Sequence, residues 1–202
     1  MPNTHTENTA IINPLVTRKN ERVMRIDAPT FWLNDVGEKA KQIEIALVSN
    51  KDWLKLTQPF GSSCTVYPID GNGGVFQDPP PVSNLDDFII ENGKRAGGCD
   101  VLVVNDTFRF MELKLNATSK ELPQIVENYQ KATLQLARTL TYFKEKTPEN
   151  TFNAQNCVCM IGVPPSFPEM SQISPTIQRK FIKKYNTNLT AIRPNKTIEL
   201  DQ

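Results

Sequence analysis

The chain has 202 residues, 39% of them apolar and 22% charged, with a formal net charge of +1. That balance fits one globular domain with a sizeable core and supplies no global attraction to a polyanion. No run approaches the roughly 18 to 20 apolar residues of a membrane helix, and the N-terminus lacks the basic, apolar and small-residue blocks of a signal peptide, so a cytoplasmic location is expected.

Residues 1 to about 20 are poor in large apolar side chains and read as a flexible lead-in to a single α/β domain over 21–202. The only histidine, His5, falls in this lead-in. Ser-His-Asp, Cys-His and His-metal chemistry all require a histidine in the folded body. Catalysis, if any, is therefore expected to run on carboxylates, lysine and a metal with oxygen ligands. "ERVMRID" reads as a short strand. "GEKAKQIEIALVSNKDWLKL" carries a broken helical pattern through Ala40, Ile43, Leu47 and Trp53. "SCTVYPID" is strand-like and runs into "GNGGVFQDPPPVSN", a loop by its Gly and Pro content.

A three-stranded meander is expected next, with strands at about Phe88 to Glu91, in "CDVLVV" and in "TFRFMELKL". The first of these also fits a short helix. A long helix over about Ser119 to Lys146 follows. "TSKE" offers a capping box and Pro123 a first-turn position, so its start is open by a turn. Ile125, Tyr129, Ala132, Leu136, Leu140 and Phe143 recur at helical spacing and form its buried face, while Gln124, Lys131, Gln135 and Arg138 share a polar stripe. "NCVCMIGVP" is a buried strand, "SPTIQRKFIKKYN" a short helix opened by Ser174 and Pro175, and "TNLTAIRP" a further strand. Cys64, Cys99, Cys157 and Cys159 are sparse and sit in apolar surroundings, as reduced core thiols do. The expected architecture is mixed α/β, a central mixed sheet flanked by helices.

The chemistry-bearing residues lie in the hairpin. Glu112 and Lys114 are two apart, so on a strand both leave one face. If Val104 pairs with Phe108, Asn105, Asp106 and Thr107 form a three-residue loop and Asp100 opposes Glu112 on that same face. A two-residue loop at Asn105-Asp106 instead pairs Asp100 with Met111 and separates the acids. Opposed carboxylates require something positive between them, and Mg²⁺ or Mn²⁺ suits an oxygen-only donor set. A cation-activated water with a lysine beside it can attack a phosphodiester. The bare spacing alone more often marks a satisfied or solvated charge network.

Asp100, eleven intervening residues and "ELK" within "FMELKL" resemble the PD-(D/E)XK nuclease superfamily, the restriction-endonuclease-like fold. The likeness spans about residues 87 to 145 and extends loosely through the C-terminal strands. It implies Asp100 and Glu112 as metal ligands with the Leu113 backbone carbonyl, and Lys114 as the catalytic lysine. It implies as well a Gln or Lys on the following helix, a place that Gln130, Lys131 or Gln135 fills, with Gln135 carried forward as catalytic. A Glu on a preceding helix is common in the family; Glu38, Glu44 and Glu91 are candidates and none is assigned. The family's proline is replaced here by Cys99, at a position that varies. The resemblance thus implies a Mg²⁺- or Mn²⁺-dependent nuclease acting on DNA ahead of RNA. Lys94, Arg95, Lys131, Arg138 and the C-terminal basic residues are the expected phosphate contacts. A homodimer or partner subunit would help so small a chain hold a duplex. The alternative is a fold relative that no longer cuts and serves as a binding or regulatory module.

Overall fold

The computed structural model describes residues 4–16, 23–35, 43–69 and 98–200. In chain order the elements are α1 (Thr4–Val16), β1 (Met24–Ile26), β2 (Thr30–Asp35), β3 (Ile43–Ala46), β4 (Leu54–Thr57), β5 (Cys64–Pro68), β6 (Val101–Val104), β7 (Phe108–Leu113), α2 (Leu122–Lys146), β8 (Cys157–Gly162), α3 (Met170–Ile173), α4 (Pro175–Tyr185), β9 (Asn188–Ile192) and β10 (Thr197–Glu199). The mixed α/β class with helices on a central mixed sheet is as the sequence leads one to expect. None of the described helices is long and apolar enough to cross a membrane.

The central sheet has the order β1-β5-β6-β7-β8-β9. Strands β1, β5, β6 and β7 pair antiparallel, whereas β8 and β9 add in parallel beyond β7. Each parallel step needs a crossover, and α2 and α4 supply the two; right-handed crossovers running in one direction across a sheet place their helices on one face. That face holds Leu102, Val104, Phe108, Phe110 and Ile161 against Ile125, Tyr129, Leu136, Leu140 and Phe143 of α2 and Phe181 and Tyr185 of α4.

Alternation then sends Val101, Val103, Met111 and Leu113 to the other face. None of the described helices covers them. They pack on Phe31, Leu33, Leu54, Leu56 and Ile198 of a second sheet, ordered β10-β4-β2-β3. The segment read as a broken helix contributes β3 and β4 to this sheet. Its deciding pattern has period two: Leu54 and Leu56 are buried, while Lys55 between them and Thr57 after them are half-exposed. In β3, Glu44 is exposed between half-buried Ile43 and Ile45. The expected strand at 88–91 and the loop at 71–84 fall outside the described residues; β5 occupies the β6 flank opposite β7.

The lead-in expected to be flexible is a helix over Thr4–Val16, which corrects that reading. Ile12 and Val16, four apart, are buried, and Ile11 and Leu15, also four apart, pack half-buried on the same core. Tyr67 donates its hydroxyl hydrogen bond to Asn13 at 2.9 Å, and Asn8 donates to the Asn105 carbonyl at 2.9 Å. The domain body therefore includes α1, and His5 within it.

Candidate active site

The hairpin adopts the register that pairs Val104 with Phe108 and Val101 with Met111, around the loop Asn105, Asp106 and Thr107. The last pair is Val101 with Met111, and the same register carried one step further would set Asp100 opposite Glu112. Both belong to the face that carries Leu102, Val104, Phe108 and Phe110, the face beneath α2. The site lies at the carboxyl ends of the parallel strands β7 and β8, where Lys114 N–H donates to the Gly162 carbonyl at 2.7 Å. In sheets with parallel strands this end is where ligands are bound.

Glu112 is fully buried, with Phe108 and Phe110 buried along the same strand face, so its carboxylate is not part of a solvated surface network. Its Oε1 meets Lys114 Nζ at 2.5 Å. Lys114 Nζ also donates to Gln135 Oε1 at 3.2 Å, and Gln135 Nε2 donates to the Gly98 carbonyl at 3.1 Å. Asp100 is half-buried, and its Oδ2 accepts the Leu113 N–H at 2.5 Å. A residue's N–H and C=O leave a strand on the same side. The Leu113 carbonyl thus faces the edge on which Asp100 sits. Asp100 and Gln135, distant in the chain, come together with the consecutive residues Glu112, Leu113 and Lys114 as one cluster.

The remaining candidates are not brought to it. Lys131 is exposed and pairs with Glu127 a helical turn earlier. Arg138 is buried rather than presented to solvent, which removes it from an open phosphate-binding surface. Lys94 and Arg95 fall outside the described residues, as do Glu38 and Glu91. Glu44 is exposed on β3 of the second sheet, behind the central sheet as seen from the site. The exposed Lys183 and Lys184 close α4, which leads to Asn188 opposite Val158, at the far end of β8 from Gly162. Arg193 is at the near end but is engaged by Glu169 Oε1 at 2.6 Å and the Phe167 carbonyl at 2.7 Å.

His5 is likewise away from the cluster, lodged between α1 and β5. Its Nε2 shares a hydrogen bond with Thr65 Oγ1 at 3.1 Å, and its Nδ1 one with Ser63 Oγ at 3.2 Å. Burial, then the Arg25 charge, holds its pKa below 6.5, against an upward pull from Asp106 and Asp27. Sequence reasoning missed Thr139. It is fully buried on α2, accepts the Cys99 N–H at 2.7 Å and donates to the Gln135 carbonyl at 3.0 Å. Its place four residues after Gln135 was the available signal.

Among the described residues no three His, Cys, Asp or Glu side chains form a metal-holding group. A divalent ion here would rest on two carboxylates, one carbonyl and water, an all-oxygen set that suits Mg²⁺ and Mn²⁺ and leaves room for retained waters. In comparisons with known proteins, no family model, no curated protein and no solved structure matches the chain.

Proposed function

We propose that the chain is a Mg²⁺- or Mn²⁺-dependent nuclease hydrolysing phosphodiester bonds, in DNA ahead of RNA. The observation supporting this reading is the hairpin register, whose continuation by one step brings Asp100 opposite Glu112, together with the Glu112–Lys114 ion pair. The preference for DNA rests on the resemblance to PD-(D/E)XK nucleases alone.

Asp100, Glu112 and the Leu113 carbonyl would hold the cation, which when bound supplies an activated water and offsets charge on the phosphate. Glu112 orients Lys114 by ion pairing, and Gln135 holds the same ammonium from the helix side. An ammonium fixed from two directions can hold a water by hydrogen bonding and stabilise charge developing on a phosphate oxygen.

The experiment is incubation with plasmid, single-stranded DNA and RNA, with and without Mg²⁺ or Mn²⁺, for the parent, Asp100→Asn and Lys114→Arg. Arginine keeps a cation beside Glu112 while changing its shape and hydrogen-bonding geometry. Cation-dependent cleavage by the parent is expected, with losses of about 10²- to 10⁴-fold in Lys114→Arg. Equal cleavage by variants and parent refutes the assignment.

One observation favours a second reading, a binding or regulatory module that does not cut. The buried Glu112 charge is met within the protein by Lys114. On that reading Mg²⁺ and Mn²⁺ leave the melting temperature unchanged and no substrate is cleaved.

A further inference from the structure

The hairpin ladder stops one pair short of where its register would carry it. Lys114 N–H points to β8, so along β7 the odd-numbered residues direct their N–H and C=O groups towards β6. On β6, Asp100 directs its carbonyl to Ile69 N–H in the opposite direction, at 2.9 Å, which leaves the odd-numbered residues facing β7. Val101 with Met111 is therefore a mutually hydrogen-bonded pair, and Cys99 with Leu113 would be the next. That pair is not made. Cys99 N–H goes to Thr139 Oγ1 on α2 at 2.7 Å, and Leu113 N–H goes to the Asp100 carboxylate at 2.5 Å.

From this we propose that Thr139 is a positioning residue for the candidate metal site: its hydroxyl draws Cys99 out of the ladder. Two ligands are set by that displacement. The Leu113 carbonyl does not receive the Cys99 N–H that a continued ladder would deliver to it. The Asp100 side chain takes the Leu113 N–H that the Cys99 carbonyl would otherwise occupy, which ties its carboxylate to the end of β7, one residue from Glu112. Gln135 reinforces the pull one helical turn earlier, through Gly98, while its Oε1 holds Lys114. The helix thus holds the strand end open and steadies the ammonium with two residues four apart. The hydroxyl is suited to this because it donates to the Gln135 carbonyl and so turns a lone pair to Cys99. The metal-binding part of this role rests on the nuclease reading; the displacement of Cys99 does not.

The test compares Thr139→Val, a near-isostere without an acceptor, and Thr139→Ser, which restores one, with the parent and Asp100→Asn. Two measurements are made. In the metal-free protein, amide NMR follows Leu113, whose proton lies far downfield in the parent and in Thr139→Ser because of its short bond to a carboxylate. It moves upfield in Thr139→Val, as in Asp100→Asn. Calorimetric titration with Mn²⁺ then shows about 10- to 100-fold weaker binding in Thr139→Val, rescued by serine. In an Asp100→Asn background, Thr139→Val adds little further loss. A Leu113 amide that stays where it is in folded Thr139→Val overturns the positioning role, as does Mn²⁺ affinity equal to the parent's. If Thr139→Val does not fold, Thr139→Ser decides: serine that fails to reproduce the parent's Leu113 shift overturns the role. A parent that shows the downfield Leu113 amide, lost in Thr139→Val, yet binds no Mn²⁺ overturns the nuclease reading and supports the displacement.

Discussion

Lys114→Met removes the cation that meets a fully buried carboxylate. The Glu112 side chain is 1% exposed and that of Lys114 27%. Removing one partner of a buried ion pair costs about 3–5 kcal/mol, because the remaining charge is left desolvated. Water reaches the ammonium end of this pair, so the low end, about 3 kcal/mol, is expected. In a chain of this size that corresponds to a fall of about 6–12 °C in melting temperature. The double variant Glu112→Met/Lys114→Met removes both charges and keeps comparable volume, and should lie close to the parent, since replacing a whole buried pair with apolar groups is often neutral. Urea unfolding of the parent, the single and the double variant measures the difference, read from midpoints at a common slope. A single variant as stable as the double would refute the reasoning, because Glu112 would then cost nothing when left without its lysine.

Three other outcomes are expected. A Cβ at Gly162 would stand 2.9 Å from methyl carbons of Leu113 and Leu54, so Gly162→Ala should lower stability by about 1–3 kcal/mol through overpacking between the sheets, measured by urea unfolding. The folded-state pKa of His5 lies below its unfolded value, so neutral His5 contributes stability that is present above pH 6.5 and lost as pH falls through the lowered folded value. Melting temperatures between about pH 7.5 and 5 should show this decline in the parent, and His5→Gln should flatten it. Burial pushes the Cys64 thiol up to about 12 and holds Cys159 well above its usual value, and all four cysteines are buried. A disulfide reagent should therefore label none of them before the protein unfolds, as absorbance with and without denaturant would show.

The hairpin register was legible because Asn105, Asp106 and Thr107 are turn-formers between apolar runs, and because placing Glu112 opposite Asp100 and placing Phe108 opposite Val104 are one condition. The buried face of α2 was legible from spacing: all six residues read as its apolar stripe are buried. Its start was not fixed by side-chain capping, and Pro123 in the first turn sets it at Leu122. The second sheet was hidden because β2, β3, β4 and β10 are three to six residues long. Over such lengths a period of two is easily overlaid by chance helical spacings such as Ala40, Ile43 and Leu47. The helix α1 was hidden by its polar composition, its packing being carried by Ile11, Ile12, Leu15 and Val16. Arg138 shows the limit of stripe reasoning, since a polar face identifies a direction and not whether solvent lies there. Thr139 could not be found from spacing alone, because its role depends on Cys99 leaving a ladder that exists only in the folded hairpin.

The strand β10 pairs in parallel with β4, Ile198 beside Leu56, so the layer behind the site is assembled from opposite ends of the described chain. Arg109, buried at the hairpin turn, donates to Asn105 Oδ1 at 2.6 Å and to the Glu199 carbonyl at 3.2 Å, and Asn105 donates to the Leu200 carbonyl. During synthesis, Leu54 and Leu56 therefore emerge long before the segment that flanks them, and the guanidinium between the sheets waits for its last acceptor. Native closure of this layer waits for residues 197–199, and chains stalled before residue 197 should be held by chaperones or aggregate through the bare flank of β4.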